Sequence, residues 1–390
     1  MATRGLDIVQ KRRKRENLQQ LHGAVVQLRE IVNSVARCEA LVDEGEEEKA
    51  LDGIGALERL IAGEIMGRAA APAAPPVQLR DLRGAPALQG VNDDITTLRF
   101  RVGRAFEGKF LAVLLGDLRR HVEALSSQEV LMRWSSASMR ARGGHSREPS
   151  AFPTYLASTD ELRAELFSSL RGLQRAKHLT AAAAAYKETG LREIRNLIRR
   201  PLPSSNDDDN ESMMSSSTMG RSRTSQQEKS SILARNLRSM EPEDAEELLV
   251  AVYVGVTETL RRLTTQVKVL LDVASTVGED PEPSGVKSPT IRSPPPFSPG
   301  GRRQSLAGLE AQEEIHKTLD LSNLLGQAVD IAQDKIVKLL RVRSEQSTHL
   351  PLVWFLRYFT LNLHFANECE AISGRSGTTL KTVVNGHIWD

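Results

Sequence analysis

The chain has 390 residues, 40% of them hydrophobic but only 4% aromatic, with 26% charged. That balance suits extended helices with narrow apolar seams better than one large globular core, and the length allows roughly two or three domains. With 52 basic against 50 acidic residues the net charge is +2, so no global field calls for nucleic acid or an anionic membrane.

Two cysteines, Cys38 and Cys369, cannot build a disulfide framework, which favours a reducing compartment. The N-terminus has no apolar core of a secretory signal. The longest uncharged apolar run, Leu248–Val256, falls well short of the about 20 residues a membrane span needs. The composition therefore reads as a soluble intracellular protein.

The first ordered block is expected over 7–64. Leu18, Leu21, Val25, Leu28, Val32, Val35 and Val42 recur in steps of three and four, with Glu39 the one break in the register. This is coiled-coil spacing, and it predicts a seam that needs a partner helix. The basic run Lys11–Arg15 precedes it; it reads as a solvated start to the coil, with nuclear import as the other role. An acidic cluster, Asp43–Lys49, follows, then a weaker helical stretch to about Glu64.

The Ala/Pro stretch Arg68–Gln78 is a linker, because proline breaks the helical ladder. A helical segment is expected over 79–200, as one long helix over 91–134 and another over 159–198. Leu98, Val102, Phe106, Phe110, Val113, Leu118, Val122 and Leu125 form the stripe of the first, and five alanines, Ala181–Ala185, favour the second. Residues 201–231, rich in Ser, Asn and Asp, are predicted to be a disordered linker.

A helical segment over 232–277 carries the stripe Leu249, Val252, Val256, Leu260, Leu263, Val267, Leu270 and Ala274. A second disordered linker, rich in Pro and Ser, is expected over 278–309. Ser288, Ser293 and Ser298 each precede proline and Ser305 follows "RRQ", so these four are candidate phosphosites. Residues 310–390 read as the start of a C-terminal helical domain: a helix to Arg343, an aromatic-rich helix to Ile372 and a short final helix. Trp354, Phe355, Tyr358, Phe359 and Phe365 are expected to carry its core. No period-two alternation persists, so the fold class is all-α: an extended coiled coil, then helical-rod or bundle segments joined by disordered linkers.

Chemistry-bearing motifs are few. "ISGRSGTTLKTVV" (Ile372–Val384) suggests a phosphate loop, but Lys381 and Thr382 at its end would put Leu380 and Arg375 where both glycines are required. It reads instead as a turn, with Gly374 ending one helix and Ser376 or Thr378 capping the next. His364 and Glu368 share a helix face but lack further ligands, so no metal and no cofactor is expected. No catalytic motif is found, and the chain reads as a non-enzyme.

Several segments in order, "LQQLHGAVVQLREIVNSVARCEALVDEGEEEKAL", "LRDLRGAPALQGVNDDITTLRFRVGRAFEGKF", "LLVAVYVGVTETLRRLTTQVKVLLDVAS", "LLGQAVDIAQDKIVKLLRVRSEQ" and "FLRYFTLNLHFANECEAISGRSGTTLKTVV", resemble the fungal branch of the vacuolar protein sorting-associated protein 54 family. The resemblance covers most of residues 8–384 outside the low-complexity inserts. It implies a subunit of the Golgi-associated retrograde protein (GARP) complex, a vesicle tether for endosome-to-trans-Golgi transport that promotes SNARE-dependent fusion. The implied partners are the other subunits of that complex, with syntaxin-type SNAREs and small GTPases besides. It also implies peripheral attachment, through partners, at the cytoplasmic face of the Golgi, and endosome attachment through a C-terminal domain starting near Leu319. Family members are longer, so this chain is expected to be short at both ends. The other function read from the residues is a phosphorylation-regulated helical scaffold, taken to the nucleus by Lys11–Arg15.

Overall fold

The computed structural model describes residues 2–64, 79–141, 154–203, 226–277, 306–343, 346 and 349–374. Among these, 88% are helical and none lies in a strand, so the protein is all-α. The α-helices are α1 (Ala2–Asp43), α2 (Glu47–Ile61), α3 (Gln89–Glu123), α4 (Ser127–Ala141), α5 (Thr159–Arg175), α6 (Leu179–Arg199), α7 (Gln226–Ser239), α8 (Pro242–Val277), α9 (Leu306–Leu319), α10 (Leu321–Val342) and α11 (Leu352–Ser373). The first residues of α7 and α9 lie inside the ranges read from sequence as linkers. The short helix expected after Ile372 lies outside the described residues.

Three stretches expected to be single helices are each broken. The 91–134 stretch divides at Ala124–Ser126, and the 310–343 stretch divides at Asp320, whose backbone has φ +29 and whose carboxylate accepts from the Asn323 amide at 3.4 Å. The 159–198 stretch breaks at Lys177, φ +54. There the Lys177 amide donates to the Gln174 carbonyl and the His178 amide to the Leu173 carbonyl, the paired bonds of a Schellman helix end. The same pair closes α1 at Gly45 and α2 at Gly63, both with positive φ. A lysine in this conformation carries no turn signal in the sequence, which is why the apolar pattern runs straight through it.

The chain forms two units. The first comprises Met1–Ala112, Glu165–Ala182 and Val277–Ala311. Its core joins Ile31, Val35 and Cys38 of α1 to Ile54, Leu57, Leu60 and Ile61 of α2, with Leu88, Ile95 and Leu98 completing it. Gln27, buried on α1, clamps the segment that precedes α3: its Nε2 donates to the Leu60 and Arg80 carbonyls at 2.8 Å, and its Oε1 accepts from the Arg80 amide at 3.0 Å. Gly63 is required twice over here, by its φ and because a Cβ would sit 2.7 Å from the Arg80 backbone.

Ion pairs also cross this unit, from Arg99 to Glu58, Arg101 to Asp43, Lys109 to Glu47 and Arg175 to Asp52. They are partly or wholly exposed, worth at most about 1 kcal/mol each, whereas each buried Leu or Ile contributes about 1.5–3 kcal/mol. The apolar core therefore holds the unit, and the pairs align it.

The second unit comprises Val113–Ala164, Ala183–Thr276 and Gln312–Asp390. Helix α8 is buried all round through its middle, the mark of a central helix. The eight stripe residues expected on it, Leu249 to Ala274, are all buried, but so are Thr257, Glu258, Thr259, Arg262 and Gln266. On α3 the buried position is Leu114, with Val113 only half-buried, because the buried stripe runs in steps of four from Val102 through Phe106, Phe110 and Leu114 to Leu118.

Candidate interaction surfaces

The predicted seam of α1 divides along its length. Leu18, Leu21, Val25 and Val32 are 66, 62, 53 and 56% exposed, Leu28 and Val42 are half-buried against the core of the first unit, and Val35 is 7% exposed within it. A strict seven-residue repeat drifts about 20° per heptad around a straight α-helix. That drift carries Leu21, Leu28 and Val35 in turn toward the face packed on α2. The structure thus leaves a four-residue apolar stripe, 18, 21, 25 and 32, uncovered on α1.

The charged residues flanking this stripe are basic. With Leu18 and Val25 at heptad position a and Leu21 and Leu28 at d, Lys11 and Lys14 fall on the seam itself, and Arg15, His22 and Arg29 fall at e. Lys11, Lys14, Arg15, His22 and Arg29 are exposed and none makes an ion pair among the described residues. The acids of the same stretch, Glu16 and Glu30, sit at the outer f position, where Arg12 and Arg37 hold them.

A second surface lies in the second unit. Four of the five aromatics expected in a core, Trp354, Phe355, Tyr358 and Phe359, are only half-buried; Phe365 alone is fully enclosed, stacked on Tyr253 with centroids 4.3 Å apart. The expectation of an aromatic core thus holds for the last of them and fails for the rest. Phe355, Tyr358 and Phe359 instead line an apolar groove with Leu248, Leu249 and Leu339. Leu352, Val353 and Leu356, at the start of α11, are exposed. The Tyr358 hydroxyl donates to the Pro242 carbonyl at 2.5 Å, fixing one wall of the groove.

The sequence motifs give no notice of the buried polar network around α8. Arg262 donates from Nε and Nη2 to Asp117, and from Nη1 to the Tyr155 and Ala157 carbonyls at 2.9 and 2.6 Å. Gln266 donates to Asp117 and to the Leu114 carbonyl and accepts from the Tyr186 hydroxyl at 2.6 Å. Burial, with the Asp117 charge nearby, raises the Tyr186 hydroxyl far above its ordinary range. Glu258, also buried, pairs with Arg133 and lies 3.6 Å from His121. Polar residues inside so apolar a helix are the one hint available, since they are rare at buried positions unless paired.

The remaining residues singled out by their chemistry have ordinary surroundings. Glu368 is held by Arg261, and the His364 ring lies stacked near Trp134 at 6.4 Å. Among the described residues no cluster of His, Cys, Asp and Glu could hold a metal ion, and no helix is long and apolar enough to cross a membrane. Cys38 and Cys369 are both buried free thiols. Burial pushes both thiols up, Cys369 to about 12. Gly374 ends α11 in the left-handed conformation, φ +67, its amide donating to the Glu370 carbonyl. Ser288, Ser293, Ser298 and Ser305, with Ser376, Thr378 and the rest of the stretch to Val384, lie outside the described residues.

No family model matches the chain, and neither does any solved structure. Over 369 residues it is 24% identical to vacuolar protein sorting-associated protein 54 of Saccharomyces cerevisiae, a match that takes in 93% of this chain and 36% of that protein. The chain therefore spans about a third of the length of this relative, and along nearly all of its own length it is similar to a protein of vacuolar sorting.

Proposed function

We propose that this chain is a non-catalytic subunit of a multisubunit vesicle-tethering complex of the GARP type. In this reading it acts in retrograde transport from endosomes to the trans-Golgi network. The observation that carries the proposal is the colinear similarity to the yeast sorting protein over 93% of the chain. The all-α architecture, with much of its surface spread along long helices, suits a scaffold. The uncovered stripe of α1 suits assembly with partner helices as a coiled coil. Attachment to the cytoplasmic face of the Golgi, with endosome association, would be peripheral and through partners, which fits the lack of a membrane-crossing helix among the described residues. Contacts with syntaxin-type SNAREs and small GTPases would follow from membership of such a complex.

Affinity purification of the tagged chain from its own cells, with mass spectrometry, tests the proposal. Co-purification of other large helical tethering subunits, lost on Leu21→Asp, is the expected result. Recovery of chaperones alone would overturn it. A second reading, a phosphorylation-regulated scaffold with a nuclear address, draws on the full exposure of Lys11–Arg15. Golgi-adjacent puncta of a tagged chain favour the first reading, and a nuclear signal favours the second.

A further inference from the structure

We infer that the helix that covers the α1 stripe is acidic and belongs to a different polypeptide. The inference rests on the proposed coiled-coil assembly and names the chemistry of its partner. Between Lys11 and Val32 every charge on or beside the seam is basic. Lys11 and Lys14 occupy core positions of the heptad, and Arg15 and Arg29 flank it, with their guanidinium and ammonium groups exposed and unpaired among the described residues. In a two-stranded coil each a or d residue packs against an a or d residue of the partner, and the e positions lie beside the partner's g positions when the helices run parallel and its e positions when they run antiparallel. A covering helix must therefore bring carboxylates to Lys11, Lys14, Arg15 and Arg29, or leave like charges opposed in a drying interface.

A second copy does not meet this demand. Paired in parallel and in register, it sets Lys11 on Lys11 and Lys14 on Lys14. Paired antiparallel, it can bring Glu39 against Lys14, but the same register sets Leu18 against Val35, which is already buried against α2. Of the other acids near this end of the helix, Asp43 is paired with Arg101, Glu46 with Lys49 and Glu47 with Lys109. In both pairings self-association leaves either the lysines or the apolar stripe unsatisfied.

The test uses the full chain and two synthetic heptad peptides with the same Ile/Leu seam, one with Glu at all e and g positions and one with Lys there, followed by fluorescence anisotropy. The Glu peptide is expected to bind about tenfold or more tighter than the Lys peptide at low salt, with the preference fading as ionic strength rises. Reversing three charges together, Lys11→Glu, Lys14→Glu and Arg15→Glu, should swap the preference, while Leu21→Asp should weaken both peptides. Equal binding of the two peptides would overturn the acidic partner and leave the coiled-coil seam standing. Binding of neither peptide, a mass that doubles with concentration through the stripe, or binding of phosphatidylserine vesicles but not of the Glu peptide would each overturn the inference. The assembly reading stands or falls separately, on whether Leu21→Asp strips the co-purifying subunits.

Discussion

Arg262 grips Asp117 through two parallel bonds, Nε to Oδ2 at 2.8 Å and Nη2 to Oδ1 at 2.6 Å, with both side chains almost wholly removed from water. They lie 145 residues apart in the chain. The fork geometry satisfies the carboxylate, and the two loop carbonyls of Tyr155 and Ala157 take the remaining guanidinium donor. The pair ties α8 to α3 and to the short turn before α5, so it sets how the helices of the second unit meet.

Breaking this pair from one side leaves an uncompensated buried charge. Arg262→Ala is expected to cost about 3–5 kcal/mol, read as a fall in the urea midpoint. A paired Arg262→Met, Asp117→Leu variant should recover much of the loss. A single variant with an unchanged midpoint would refute the structural role given to the pair.

Gly172 of α5 lies under the Phe106 ring, and a Cβ there would come within 2.5 Å of it. Gly172→Ala therefore forces the ring or the helix to move, at a cost of about 1–3 kcal/mol. Phe106→Leu in the same chain should relieve part of the clash, so a thermal melt of the double variant above that of Gly172→Ala is the expected result.

Leu21 and Leu28 occupy the same heptad position, but the structure separates them. Leu21→Asp should leave the melting curve unchanged, because the residue is exposed. Leu28→Asp should lower stability by roughly 2 kcal/mol or more, because the carboxylate would enter the α1–α2 core. Identical melts for the two variants would contradict the divided seam.

Glu193 is buried, and although burial raises its carboxyl, Arg119 and Arg200 outweigh that and hold it below the ordinary value. A depressed acid contributes stability that is fully present above its unfolded pKa and is lost as pH falls through the folded one. The wild-type chain should accordingly lose stability on acidification from about pH 5 downward, and Glu193→Gln should flatten that part of the curve while lowering the plateau at neutral pH. An unaltered slope in the variant would exclude the residue from the acid transition.

Both thiols are buried, and burial raises each of them, Cys369 to about 12. Neither should form thiolate near neutrality in the folded chain, so iodoacetamide at about pH 8 should label only after denaturant is added. Rapid labelling of the native chain would show that one of the two helices opens readily.

The helical character of almost every described element is legible in the sequence, because amphipathic periodicity is a local property of neighbouring residues. Leu249, Val252, Val256 and Leu260 need no partner to reveal the buried stripe of α8. The break at Lys177 is not legible, since lysine announces no positive φ, whereas Asp320, a residue type that caps helices and tolerates positive φ, is a signal that the apolar periodicity masked. The polar network is hidden for a related reason: Arg262 and Asp117 look like solvated charges until the fold brings them together across 145 residues.

By itself, then, the sequence determined the all-α class, the run of long helices and the heptad of α1. Tertiary structure alone decided which heptad positions remain available, turning Leu28, Val35 and Val42 inward and leaving Leu18, Leu21, Val25 and Val32 exposed. It also decided that Phe355, Tyr358 and Phe359 of α11 line a groove while Phe365 enters the core. The physical reason is common to both: periodicity marks a face as apolar, but burial depends on which helices reach it, and that is settled by long-range packing.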